Sequence, residues 1–370
     1  MEKIKRLILG YLPNQKCNLK CGYCYISQLQ QWDNPQEALY SPEYIAKCLS
    51  AERLGGTCLI NLTAQGETLL VPGVPQLVEA LLREGHFVEV VTNGTVTKRV
   101  HEFLSLPDEL TKRLFFKLSF HYRELKRLGL LETFFANVRA IRASAASLTL
   151  ELMPCDDLEG EIDEIEALCV REAGAVCQAT VGRNDRRKGK PLLSAHSARE
   201  FREIWNALNS DMFRFKMDML GVKRREFCYA GAWSLSVNLY NGEAMPCYWQ
   251  PNAQNIFENP EKPIAFRPVG NFCTLPWCLN AHAHLTWGLI PELETPPYCA
   301  MRNRVCADGG EWLKPECRAF FSSRLSESNP LFTPGQKALF NATYPFYLLR
   351  GICRNWRESV RRLGGYLRRK

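Results

Sequence analysis

The sequence predicts an α/β fold: a partial, TIM-like (β/α)6 barrel, then a small cysteine-rich unit and a basic C-terminal helix. Three observations carry that expectation. Six short apolar or β-branched runs recur through the first half of the chain. Amphipathic stretches of helical period lie between them, and strands alternating with helices indicate a parallel sheet. The composition then shifts, and from Phe227 onward Cys, Pro, Trp and Asn replace long periodic segments.

The runs are residues 5–11, 58–63, 87–92, 114–119, 147–153 and 175–180, and after a long first connection they recur every 27 to 33 residues or so. Between them, 41–53, 74–84, 96–104, 132–142 and 161–172 read as helices. Ser41-Pro42-Glu43 has the form of an N-cap followed by proline at the first helical position. Six units are too few to close an eight-stranded barrel, so an open one is expected. Residues 183–226 form a polar, basic linker with a helix over 197–208. The expected division is 1–182 barrel, 183–226 linker, 227–325 cysteine-rich unit and 326–370 basic C-terminal region.

The chain has 370 residues, 46% hydrophobic and 23% charged, enough for a large core. It holds no apolar run of the roughly 18 residues that a spanning helix needs, and its N-terminus lacks the form of a signal peptide. Sixteen cysteines without such a signal point to reduced thiols serving metal, and so to the cytoplasm. Of the net charge of +8, residues 350–370 carry +7, from eight basic residues against Glu358. The remaining +1 gives no footprint for nucleic acid.

Chemistry in parallel α/β folds sits outside the carboxyl ends of the strands. There, after the first strand, stand Cys17, Cys21 and Cys24, with Tyr23 before the last. Three thiolates can hold three corners of a four-iron cluster and leave one iron open; a zinc loop or unrelated thiols are the plain alternative. This C-x3-C-x2-C spacing resembles the signature of the radical S-adenosylmethionine (SAM) enzymes. After the second strand, Gln65-Gly66-Glu67-Thr68 resembles that family's Gly-Gly-Glu-Pro segment, with Gln65 and Thr68 as departures; Glu67 could equally be a solvated carboxylate. Thr92-Asn93-Gly94 matches a Thr-Asn-Gly segment common in the family and is, as bare sequence, an ordinary turn. Ser119 and His121 follow the fourth strand near where relatives contact SAM, although His121 reads equally as structural. Asp156 and Asp157 after the fifth strand could meet substrate or cap a helix. The resemblance covers about residues 5–182 and implies a SAM site at Tyr23, Gln65, Gly66, Glu67, Thr92, Asn93, Ser119 and His121.

In the second half, thirteen residues separate Cys228 from Gly242 and four separate Gly242 from Cys247. That matches the C-x9–15-G-x4-C opening of the SPASM and twitch extensions of radical SAM enzymes, and Asn241-Gly242 suits a hairpin turn. Cys273 and Cys278 complete four ligands for one auxiliary [4Fe-4S] cluster. The dense C-x2-C-x5-C-x3-C continuation is missing. Cys299, Cys306 and Cys317, with His282 and His284, are left for a second cluster, a zinc ion or nothing. A zinc ribbon is the alternative for the whole unit.

The resemblance implies reductive SAM cleavage, with a reductant such as flavodoxin or ferredoxin as partner. Peptide or protein modification is the leading substrate class, and a sugar, polysaccharide or small-metabolite dehydrogenase or epimerase the runner-up. With the cluster loop starting at residue 17, no leader-recognition domain is expected before it. A non-enzymatic iron–sulfur or zinc protein is the third reading. In the tail, Leu349, Ile352, Trp356, Val360, Leu363 and Leu367 step at helical spacing beside Arg350, Arg354, Arg357 and Arg361. Such a helix either touches an anionic membrane surface or acidic partner, or docks on the body with its arginines in water.

Overall fold

The computed structural model describes residues 2–32, 37–248, 250, 254–354 and 360. Its strands are β1 (Arg6–Leu12), β2 (Cys58–Ala64), β3 (Phe87–Thr92), β4 (Leu114–Phe120), β5 (Ser147–Leu152), β6 (Gln178–Ala179), β7 (Ser234–Asn238), β8 (Glu243–Met245) and β9 (Gln254–Asn255). They form one sheet in the order β6-β5-β4-β3-β2-β1-β7-β8-β9. The first seven are parallel, and β8 and β9 add antiparallel to β7. The six expected strands stand where the apolar runs lie. The last is only two residues long, and the Ala179 N–H on its free edge is taken by the Ser210 hydroxyl at 3.0 Å.

The helices between strands also follow the sequence pattern. The Ser41 hydroxyl accepts from Tyr44 N, with Pro42 opening the helix Pro42–Cys48. At Ser197 a reciprocal cap with Glu200 opens Ala198–Trp205. Their apolar faces meet the outer sheet face at Ile60, Val88, Phe116, Leu118 and Leu150.

Past residue 227 the sheet continues. β7 pairs parallel with β1, Leu7 opposite Ser234 and Tyr11 opposite Asn238, which covers an edge that would otherwise be unpaired. The expected turn at Asn241-Gly242 joins β7 to β8, with Gly242 at φ +78°. The concave face of the sheet is filled at its lower end by aromatic rings from the C-terminal half. Phe87 stacks on Phe320 at 3.8 Å, and Phe115 meets Phe321 edge-on at 5.1 Å. Truncating one such ring to Ala should cost about 3–5 kcal/mol. Above this plug lies a polar layer from the strand middles: Asn61, Glu89, Lys117 and Glu151. Above that, the strand ends carry the cysteine loop.

The helix Pro334–Arg354 contains Pro345, and Leu349 on it is exposed. Trp356, Arg357, Arg361, Leu363 and Leu367 lie outside the described residues. No described helix is long and apolar enough to cross a membrane.

Candidate functional site

Three loops at the carboxyl ends of β1, β2 and β3 are tied into one unit by backbone and buried polar contacts. The loop after β2 prolongs the β1–β2 ladder into the cysteine loop: Gln65 N donates to Leu12 O at 3.2 Å, Gly66 N to Asn14 O at 2.7 Å, and Glu67 N to Lys16 O at 2.9 Å. A β-carbon on Gly66 would stand 2.2 Å from Lys16 O, so only glycine permits this approach. Glu67 is buried and fully used. Its carboxylate accepts from Thr92 Oγ1 at 2.5 Å, Asn93 N at 2.7 Å and Leu69 N at 2.9 Å. Burial pushes its pKa up, against the pull of these bonds.

Asn93 carries the connection onward. Its amide nitrogen donates to Asn18 Oδ1 at 2.8 Å and lies 4.0 Å from Cys17 Sγ, while its Oδ1 accepts from Thr95. Asn18 in turn donates to Thr95 Oγ1 at 2.8 Å. Asn18 and Thr95 were not singled out from the sequence. The available signal was their place, one inside the three-cysteine run and the other just after Thr-Asn-Gly. Glu67→Ala leaves three buried donors without an acceptor, and the expected loss is about 1–3 kcal/mol by urea unfolding. Glu67→Gln, which keeps one accepting oxygen, should recover part of it.

The loops enclose a cavity of about 130 Å³ that opens to solvent. Cys17, Cys21 and Cys24 line one side; Gln65, Gly66, Glu67, Thr92 and Asn93 line another; Ser119 and His121 close it, with Trp32 at the rim. Tyr23 reaches the cavity through His121, its hydroxyl 2.7 Å from Nδ1. Burial lowers the His121 pKa to about 4, so its imidazole is neutral at ordinary pH.

The donor set fits an iron–sulfur cluster better than a single ion. All three thiols are free, and burial pushes Cys21 up to about 12. A cationic group must therefore displace their protons. Zinc would draw thiolates to within about 4 Å of one another. Among the described residues such close grouping occurs at Asp156, Glu159 and His196 and not at these thiols. There Asp156 accepts from Ser194 Oγ and Ala195 N, Asp157 pairs with Arg123, and His196 Nε2 lies 2.7 Å from Glu159.

Residues 11–142 match the family model described as the Radical SAM superfamily. The chain carries a radical SAM domain. That family uses a [4Fe-4S] cluster and SAM, and its members are enzymes. The sequence matches none of the curated proteins compared with it. Among solved structures, Streptococcus suis SuiB bound to S-adenosylmethionine aligns at 13% identity and TM-score 0.47, over 71% of this chain and 67% of that one. SuiB bound to precursor peptide SuiA aligns at 15% and 0.49, over 72% and 65%. The protein anSMEcpe with bound AdoMet and Cp18Cys peptide aligns at 14% and 0.45, over 70% and 80%.

Beyond the radical SAM match, four more cysteines come together. Cys228 bridges to Gly270 in antiparallel fashion, which brings the segment of Cys273 alongside. Burial, then the charge of Cys273, raises Cys228 to about 12. Cys247 is raised by burial and then by Cys228 and Cys273, and Cys278 by burial and then by Cys247, Cys228 and Cys273. His284 Nδ1 lies 4.0 Å from Cys247 Sγ. The remaining three have separate surroundings: Cys306 Sγ faces Ala173 O, Cys317 Sγ faces Lys112 O, and Cys299 Sγ accepts from Ser322.

Proposed function

We propose that Cys17, Cys21 and Cys24 hold a [4Fe-4S] cluster with SAM in the adjoining cavity, that Cys228, Cys247, Cys273 and Cys278 hold one auxiliary [4Fe-4S] cluster, and that the substrate is a peptide or protein. The observation that carries this reading is the convergence of the four later thiols, fifty residues apart at the extremes, on one place beside the Cys228–Gly270 bridge. When bound, the open cluster supplies reductive cleavage of SAM to methionine and a 5′-deoxyadenosyl radical that takes hydrogen from substrate. The chain positions and shields. Gly66 lets the β2 loop close on the cysteine loop, Glu67 locks the Thr92-Asn93 turn, and Asn93 and Asn18 hold the cysteine loop against it. Ser119 and the neutral His121, steadied by Tyr23, offer polar contacts at the far wall. A flavodoxin or ferredoxin is the proposed source of electrons.

The test is anaerobic reconstitution with iron and sulfide, then measurement of 5′-deoxyadenosine from SAM under dithionite. The wild type should form it, and the variant with Cys17, Cys21 and Cys24 all changed to Ala should form none. Zinc uptake without deoxyadenosine would overturn the reading. Deuterium transfer from a labelled sugar, with none from peptides, would move the substrate class to the small-metabolite alternative.

A further inference from the structure

We infer that the polar layer between the two thiol sites contains a carboxylate-binding site, with Lys216 and His282 as its ligands and a carboxylate of the substrate as its occupant. The choice of occupant rests on the function proposed above. The argument begins with charge balance. Lys216, on the helix Asp211–Met219, is 8% exposed, and among the described residues its ammonium finds the neutral Thr180 hydroxyl and no carboxylate. The other ions of the layer are matched. Glu89 accepts from Asn61 at 2.9 Å and Tyr298 at 2.6 Å. Glu151 is shared between Lys117, at 3.4 Å, and Arg302. Asp185 is shared between Arg183, at 3.2 Å, and Lys190.

Two groups are left over: the Lys216 ammonium and His282 Nδ1, a buried nitrogen on a side chain 7% exposed that has no hydrogen-bond partner among the described residues. After burial, the charges of Lys117 and Arg183 act against a charged Lys216, and those of Lys216 and Lys117 against a charged His282. The helix of Lys216 packs on the short helix of His282, Met212 and Phe215 clustering with Ala281 and Leu285, which brings the two left-over groups to one place. An isolated buried cation is unfavourable unless a partner neutralises it. One surplus positive charge with a second single-point ligand matches a carboxylate. A phosphate, with twice the charge, favours forked guanidinium donors.

Location selects the source. Gln28 in the helix after Cys24 donates to Arg183 O at 3.2 Å, and His284, two residues from His282, lies against Cys247. Arg183 and His284 thus tie the surroundings of the site to both thiol groups. SAM also bears a carboxylate, but its cavity is closed by Ser119 and His121, and Lys117, Lys216 and His282 are not on its lining.

Sodium acetate is the probe, against sodium chloride at equal ionic strength, on the reconstituted full chain. Acetate should raise the wild-type melting temperature by about 2 °C or more over chloride. Lys216→Met should remove that difference and, in chloride, melt above the wild type. Lys216→Arg should keep the acetate effect, and His282→Gln should weaken it, which leaves a readout if Lys216→Met does not fold. SAM affinity of Lys216→Met, measured by equilibrium binding, should stay within twofold of wild type. An acetate effect that is absent, or equal in wild type and Lys216→Met, overturns the site. A tenfold loss of SAM affinity overturns the substrate and assigns the carboxylate to SAM. The acetate comparison needs no turnover, so its failure is separate from failure to make deoxyadenosine.

Discussion

Gly66→Ala should cost the chain most of its N-terminal cluster while leaving the sheet formed. The added β-carbon would stand 2.2 Å from the Lys16 carbonyl oxygen, 2.6 Å from its carbon and 2.7 Å from the carbonyl carbon of Gln15. All three are backbone atoms and cannot rotate aside. Either the β2 loop or residues 15–16 must move, and Cys17 is the next residue. Overpacking of this kind costs about 1–3 kcal/mol. The larger consequence is geometric, because a displaced Cys17 no longer shares a spacing with Cys21 and Cys24. Iron per chain after reconstitution should fall from about eight toward about four, and the urea midpoint should fall in step with the strain. Gly22→Ala is the control. It lies inside the same loop, yet a β-carbon there meets nothing within 4 Å. Equal losses in both variants would rule out close approach as the cause.

The same residue illustrates what the sequence could and could not say. Gly66-Glu67 stands out as a motif at a strand end, but the sequence points to SAM as the reason for the glycine. The structure adds a second reason, the Lys16 backbone, which no local pattern announces. Strands and helices were legible because each carries its own periodicity: Phe87–Thr92 is β-branched and apolar, and Val74–Arg83 buries Val74, Leu77, Val78, Leu81 and Leu82 on one face. Partners across long separations were not legible. Ser234-Leu235-Ser236-Val237 alternates as a strand should, yet nothing in it says that it lies beside β1. The polar layer was hidden for a related reason. Glu89 and Glu151 interrupt apolar strands, and their partners Tyr298 and Arg302 arrive from far downstream, where no local pattern points back to them. His121 and Asp156, left open between structural and functional readings, are separated by place. His121 lines the cavity, and Asp156 holds the turn at Ser194-Ala195.

Changing Cys247 and Cys278 together to Ser should lower iron from about eight to about four per chain. A double change is needed because three thiols suffice to hold a cluster at the N-terminal site, so a single loss can be survived. These two positions are chosen because burial raises both thiols strongly and each feels its neighbours. Without a metal, burial favours the neutral thiols of Cys228, Cys247 and Cys278; with one, iron takes up the charge of the thiolates, and the same burial then shields the cluster from water. Loss of the cluster should therefore also lower the melting temperature. Cys299→Ser, Cys306→Ser and Cys317→Ser should leave the iron count unchanged, since their sulfurs face Ser322, Ala173 and Lys112 in separate parts of the core. If one of these three also removes about four irons, the ligand set is wrong, and the hairpin at Asn241-Gly242 is not what gathers the auxiliary site. If the double variant instead keeps all of its iron, Cys228 and Cys273 hold no cluster with these partners, and the convergence of four thiols is a feature of packing.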